Sequence, residues 1–282
     1  VAGRFYPRDP STLAATVDRL LDAVEVPDGE PLAPAYVVPH AGYVYSGPTA
    51  AHVYARLRRH AEQVERVVLL GPAHFVRLDG CAVPASTAWA TPLGELPIDE
   101  VGEIPAQVDD APHAPEHSLE VQLPFLQRAL GRPVPILPIA VGTAPTETVA
   151  AALTVAAAKP TASLPSATLA SRSGSSALDR SDACDPGTLV LCSTDLSHYL
   201  DQAAAVARDT ATAAAIGALT PERIGRADAC GAFALRGLLT WARTGALRPE
   251  LLLLATSADT AGDPFRVVGY GAFGFHLSRA VS

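Results

Sequence analysis

Apolar residues in this chain follow two rhythms. Short runs of aliphatic and β-branched residues, bounded by Pro, Gly or Asp, alternate with longer stretches in which apolar positions return every three or four residues. The first rhythm marks buried strands and the second marks amphipathic helices. Leu13, Val17, Leu20 and Leu21 share one face and predict a helix over 10–24, with Asp9 or Ser11 as its cap. A strand follows at 35–39, then a glycine-rich turn and a helix from Pro48 to His60. Residues 66–70 form the next strand. Short runs at 81–83, 88–89 and 94–98, broken by Pro and Gly, read as a hairpin excursion at a sheet edge. Leu119, Leu123, Leu126 and Leu130 predict a helix over 117–130. A proline-interrupted strand at 134–141 and an alanine-rich helix at 146–158 come next. Strand 188–193, helices 201–218 and 231–244, and strands at 251–254 and 266–273 complete the pattern. Regular alternation of strand and helix predicts a layered α/β domain, a central β-sheet flanked by helices. Residues 159–187, rich in Ser, Ala and Pro, interrupt the pattern and read as a flexible insertion.

Composition narrows the class. The chain has 282 residues, 49% hydrophobic and 18% charged, which fits one compact soluble domain over 1–282. A net charge of -8 without a run of Lys or Arg argues against a nucleic-acid partner. No apolar stretch has the length of a membrane span and no secretory signal is visible, so the expected location is the cytoplasm, away from the membrane. The four cysteines, Cys81, Cys184, Cys192 and Cys230, form no CxxC pair and read as free thiols.

The candidate chemistry sits at strand ends. The run Ala35–Pro39 delivers His40, the run Arg66–Ala73 delivers His74, and the run Thr188–Ser193 delivers Asp195 and His198. Ligands in open α/β sheets bind beyond the carboxyl ends of the strands. Three such ends carrying imidazole and carboxylate point to one polar pocket, most economically a metal site. Plainer readings stand beside this one. His40 fits a hydrogen-bonded turn, Cys230 fits a small core hydrophobe, Asp195 fits a turn or cap, and Glu116 and Glu120 fit the dipole at a helix start. Tyr43 and Tyr45 either line the pocket or pack around the turn. His52, His60, His113 and His276 read as structural or exposed.

Six segments, taken in order, carry a resemblance: Gly3–Pro7 (GRFYP), Pro39–Gly47 (PHAGYVYSG), Leu70–His74 (LGPAH), Glu116–Glu120 (EHSLE), Ser193–His198 (STDLSH) and Asp228–Gly231 (DACG). Each is weak alone, but their ordered combination resembles the Memo family, known in bacteria and archaea as protein B of the AmmeMemoRadiSam system. The resemblance implies a fold like that of the class III extradiol dioxygenases of the LigB type. Carried over residue by residue, it implies metal ligands at His40, His74 and Cys230, with Asp195 and His198 beside the metal. His198 and His117 are the candidate acid–base groups near neutral pH, and Asp195 a candidate orienting partner. Two imidazoles and a thiolate leave open coordination positions. They imply a transition metal, Fe(II) or copper first and zinc next. The expected function is redox or oxygen-linked chemistry on an unknown substrate. The alternative is a non-catalytic metal- or peptide-binding module acting in a complex or in signalling, with a metal-assisted hydrolase as a third class. Expected partners are a small molecule or peptide and, from the system's name, a radical SAM protein and its companion.

Overall fold

The computed structural model describes residues 1–99, 103–158, 185–261 and 263–277. The proposed insertion therefore lies outside the described residues, apart from 185–187. Five strands carry the centre of the molecule: β1 (Ala35–Val38), β2 (Arg66–Pro72), β7 (Ile136–Val141), β8 (Thr188–Ser193) and β11 (Val267–Leu277). The sheet order is β10-β11-β1-β8-β2-β7-β3-β6, where β3 is Cys81–Val83, β6 Gln107–Val108 and β10 Leu247–Thr256. Strand β9 (His198–Leu200) pairs with β11 off this path. The four inner strands β1, β8, β2 and β7 are mutually parallel, while β11, β10 and β3 run antiparallel to their inner neighbours. The sheet is thus mixed. The expected hairpin is present as β4 (Ala88–Thr91) and β5 (Gly94–Pro97), paired apart from the main sheet.

The parallel strands are apolar without alternation because both of their faces are covered. Successive side chains point to opposite faces. Val37, Val68, Leu70 and Val190 join one core with α4 (Thr146–Ala157) and α6 (Ala232–Thr244). Tyr36, Val38, Val67 and Leu69 join the other with α1 (Pro10–Asp22), α2 (Tyr43–Arg59) and α3 (Leu123–Leu130). Helix α5 (Gln202–Gly217) packs against β10 and β11. Among the described residues no helix is long and apolar enough to cross a membrane.

Two helix starts differ from the sequence expectation, in opposite directions. Helix α2 begins at Tyr43, ahead of Pro48, which sits inside it. Tyr43 is tied down by its amide donating to the Phe5 carbonyl at 2.8 Å, and Ser46 Oγ donates to the Ala41 carbonyl at 2.9 Å, so the first turn forms despite the proline. Helix α3 begins at Leu123, after a 3-10 turn at Glu120–Gln122. Pro124 lies in its first turn, where its missing N–H has no helical partner to lose. The residues before it, from Glu116 to Gln122, are thereby left free to serve the site.

Candidate metal centre

Because β1, β8 and β2 are adjacent and parallel, their carboxyl ends lie on one edge of the sheet. The loops leaving those ends carry His40, Asp195 and His74. His117 reaches the same place from the loop before α3. The His40, His74 and His117 rings lie 5.1–5.4 Å apart between centroids, and one donor atom from each lies within 4.8 Å of the others. Cys230, just before α6, places Sγ 3.2 Å from His40 Nε2. It touches His40 without joining the three-imidazole group.

Hydrogen bonds orient two of these imidazoles. Ser193 Oγ donates to the Ser118 carbonyl at 2.7 Å and accepts from Gln122 Nε2 at 2.8 Å. Its one proton is committed, so the 2.9 Å contact with His40 Nδ1 assigns the proton to that nitrogen. His40 Nε2 then carries the lone pair, on the side of Cys230. His74 is held in the same way. Its amide donates to Glu116 Oε2 at 2.6 Å and its Nδ1 lies 3.0 Å from Glu116 Oε1. Outer carboxylate and hydroxyl partners of this kind fix tautomer and ring orientation in metal-binding histidines.

Burial and charge set the titration of the group. Burial, with His74 nearby, pulls His40 down to about 3, and burial with His40 nearby pulls His117 to about 4. Both are neutral imidazoles at physiological pH, the form that binds metals. Burial works to raise Glu116, but hydrogen bonds from His74 and the Ser118 amide prevail and hold its carboxyl at about 2. Burial and the Asp195 charge push the Cys230 thiol up to about 12.

Asp195 and His198 lie beside this group in separate roles. Asp195 Oδ1 accepts the His40 amide at 2.7 Å, so it holds the β1 loop. The acceptor on His198 Nδ1 is the Leu196 carbonyl at 2.9 Å, and no hydrogen bond joins Asp195 to His198. A backbone carbonyl thus orients His198, while Asp195 holds the His40 amide. Helix α6 is latched to the same loop: Gly231 N donates to Thr194 Oγ1 at 2.9 Å and Cys230 N to the Asp195 carbonyl at 3.2 Å.

Sequence reasoning missed Glu116, Ser193 and Gln122 as supports and took Glu116 for a dipole partner. The available signal was adjacency to His117 and to the strand end at Thr194. Phe5 was missed too; its ring stacks on His117 at 4.3 Å. Tyr43 is a packing residue, buried with its hydroxyl donating to the Val121 carbonyl at 2.6 Å. Cys81 and Cys192 are buried in the core, and Cys184 lies outside the described residues.

A mixed sheet between helical layers, with three imidazoles gathered at the carboxyl edge of its parallel strands, defines an α/β protein with a candidate metal centre. Residues 1–167 match the family model described as Memo-like protein. A MEMO1 family protein of Methanopyrus kandleri is 34% identical over 98% of this chain and 97% of its own length. One from Methanosarcina barkeri is 36% identical over 96% of this chain and 97% of its own length. One from Desulfurococcus amylolyticus is 30% identical over 98% of both. The chain belongs to the Memo family.

Proposed function

We propose that this Memo-family chain is a metal-dependent oxidoreductase with a non-haem centre of the LigB type, holding Fe(II) or copper and acting on a small molecule. The observation that carries the reading is the convergence of His40, His74 and His117 at the carboxyl edge of the sheet, with donor atoms within 4.8 Å. The donor set fits such a metal. Imidazole and thiol donors select transition metals, whereas magnesium and calcium take oxygen donors. His40 and His74 would hold the ion through the nitrogens their outer partners leave free, with Cys230 and His117 completing the shell. A bound Fe(II) or copper ion supplies redox chemistry and Lewis acidity. His198, with Nδ1 engaged by the Leu196 carbonyl, presents Nε2 as a lone pair that can take a proton. Phe5 stacks on His117 at 4.3 Å and Phe75 lies 5.7 Å from it, so apolar rings flank this imidazole.

The test is bound metal and oxygen uptake with catechols, measured on the same preparations purified without oxygen. His40→Ala and His74→Ala should abolish metal binding. Cys230→Ser should lower affinity by about ten-fold or more. His198→Ala should keep the metal and lose turnover. Loss of metal from His198→Ala to the same degree as from His40→Ala would make His198 a ligand. A metal-loaded protein inert toward every catechol, in the presence and absence of a radical SAM partner, would favour the binding-module reading.

A further inference from the structure

His198 opens β9, and the residue after it departs from regular strand geometry. Val267 and Val268 of β11 pair with Leu200 and His198, so Tyr199 is the extra residue of a bulge. Its φ is 61°, the left-handed conformation that such bulges usually give to glycine. A bulky aromatic residue there is strained, and it is not rewarded by burial, since the side chain is 63% exposed. Strained residues that the fold maintains concentrate at functional sites, and bulges re-aim side chains beside them. The Tyr199 ring lies 5.6 Å from the His198 ring, and the Arg266 guanidinium lies 4.4 Å over its centroid. Arg266 is exposed, and among the described residues its guanidinium has the Tyr199 ring as partner and no carboxylate. In a chain of net charge -8, an exposed arginine over the ring of a strained tyrosine, beside the candidate acid–base residue, offers a positive charge to an anion.

We propose that Arg266, held by Tyr199, anchors the carboxylate of an acidic substrate beside His198. The proposal rests on the metal-centre reading for the word substrate, but not for the binding event. A guanidinium presents two parallel N–H groups that match a carboxylate, and stacking on an aromatic face fixes their direction. The bulge gives that face its position. The strain at Tyr199 is then the cost of holding the arginine ready.

The experiment titrates benzoate and its neutral counterpart benzamide into the full chain, freed of metal so that no ion competes for the carboxylate, with binding read by calorimetry or by NMR. Benzoate should bind the parent protein about ten-fold more tightly than benzamide, and Arg266→Gln should lose that difference. Tyr199→Phe keeps the ring and should keep the affinity. Tyr199→Gly relieves the backbone and should raise Tm while weakening benzoate. That opposite movement is not expected of a purely structural tyrosine. Equal binding of the two probes, no binding of benzoate, or an unchanged affinity in Arg266→Gln would overturn the proposal. Metal content of the same variants keeps the two readings apart. A parent protein that binds no metal refutes the centre and not the receptor. Metal retained in Arg266→Gln with benzoate affinity unchanged refutes the receptor alone.

Discussion

At the scale of single residues, the site depends on side chains that never meet an ion. Ser193 Oγ satisfies His40, Gln122 and the Ser118 carbonyl at once. Ser193→Ala leaves three buried polar groups short of a partner. It should cost about 1–3 kcal/mol of stability, read by urea unfolding, and lower metal affinity about ten-fold or more. Asp209 offers a test by pH. It is fully buried on α5, Oδ1 accepts the Ser197 amide at 3.0 Å, and among the described residues Oδ2 has no hydrogen-bond partner. Burial therefore raises its pKa above 3.8 despite the amide. A carboxyl with a raised folded pKa stabilises fully below the unfolded value, and that contribution is lost as pH rises through the folded one. Asp209→Asn should then be more stable relative to the parent at pH 7 than at pH 3.5. Urea midpoints at the two pH values check this, and a constant difference would refute it. His40 and His74 were legible as site residues because each follows an apolar run ending at a strand terminus. Glu116 was not, since a carboxylate opening a helix has an ordinary reason to be there.

At the scale of elements, the alternation of rhythms places nearly every strand and helix, and its failures share a cause. Sequence starts one helix at Pro48 and carries the next back to 117 on its leucine spacing. Tertiary ties around Tyr43 start the first earlier, and the site takes the residues ahead of Pro124, so the second starts later, at Leu123. What periodicity could not show is which strands are neighbours. The register that sets β8 between β1 and β2 is decided by which buried faces fit, a long-range matter. Helix packing gives a further test. A Cβ on Gly237 of α6 would lie 2.2 Å from Val149 Cγ1 of α4. Glycine in a helix interior costs about 0.5–1 kcal/mol against alanine, whereas overpacking costs about 1–3 kcal/mol. Packing wins, so Gly237→Ala should lower the urea midpoint even though it raises helix propensity.

At the scale of the whole molecule, the chain leaves and rejoins the described structure at nearly one point. Asp185 N donates to the Ala157 carbonyl at 3.0 Å. A short linker can therefore span the ends, and closing a shorter loop is entropically no harder. Replacing residues 160–183 with a few Gly and Ser residues should leave Tm and metal content close to the parent, whereas insoluble protein would show that the segment belongs to the fold. The strand order carries one more consequence. Strand β8 sits between the strands that bear His40 and His74, yet it follows both in the chain, after β7 and α4. Neighbouring strands stand about 4.8 Å apart, so β1 and β2 cannot take up their final spacing until β8, a later segment, has been made. Every residue of the three-imidazole group emerges from the ribosome before the strand that sets their spacing. An ion held by this group would therefore arrive late in the life of the polypeptide, once synthesis has passed β8.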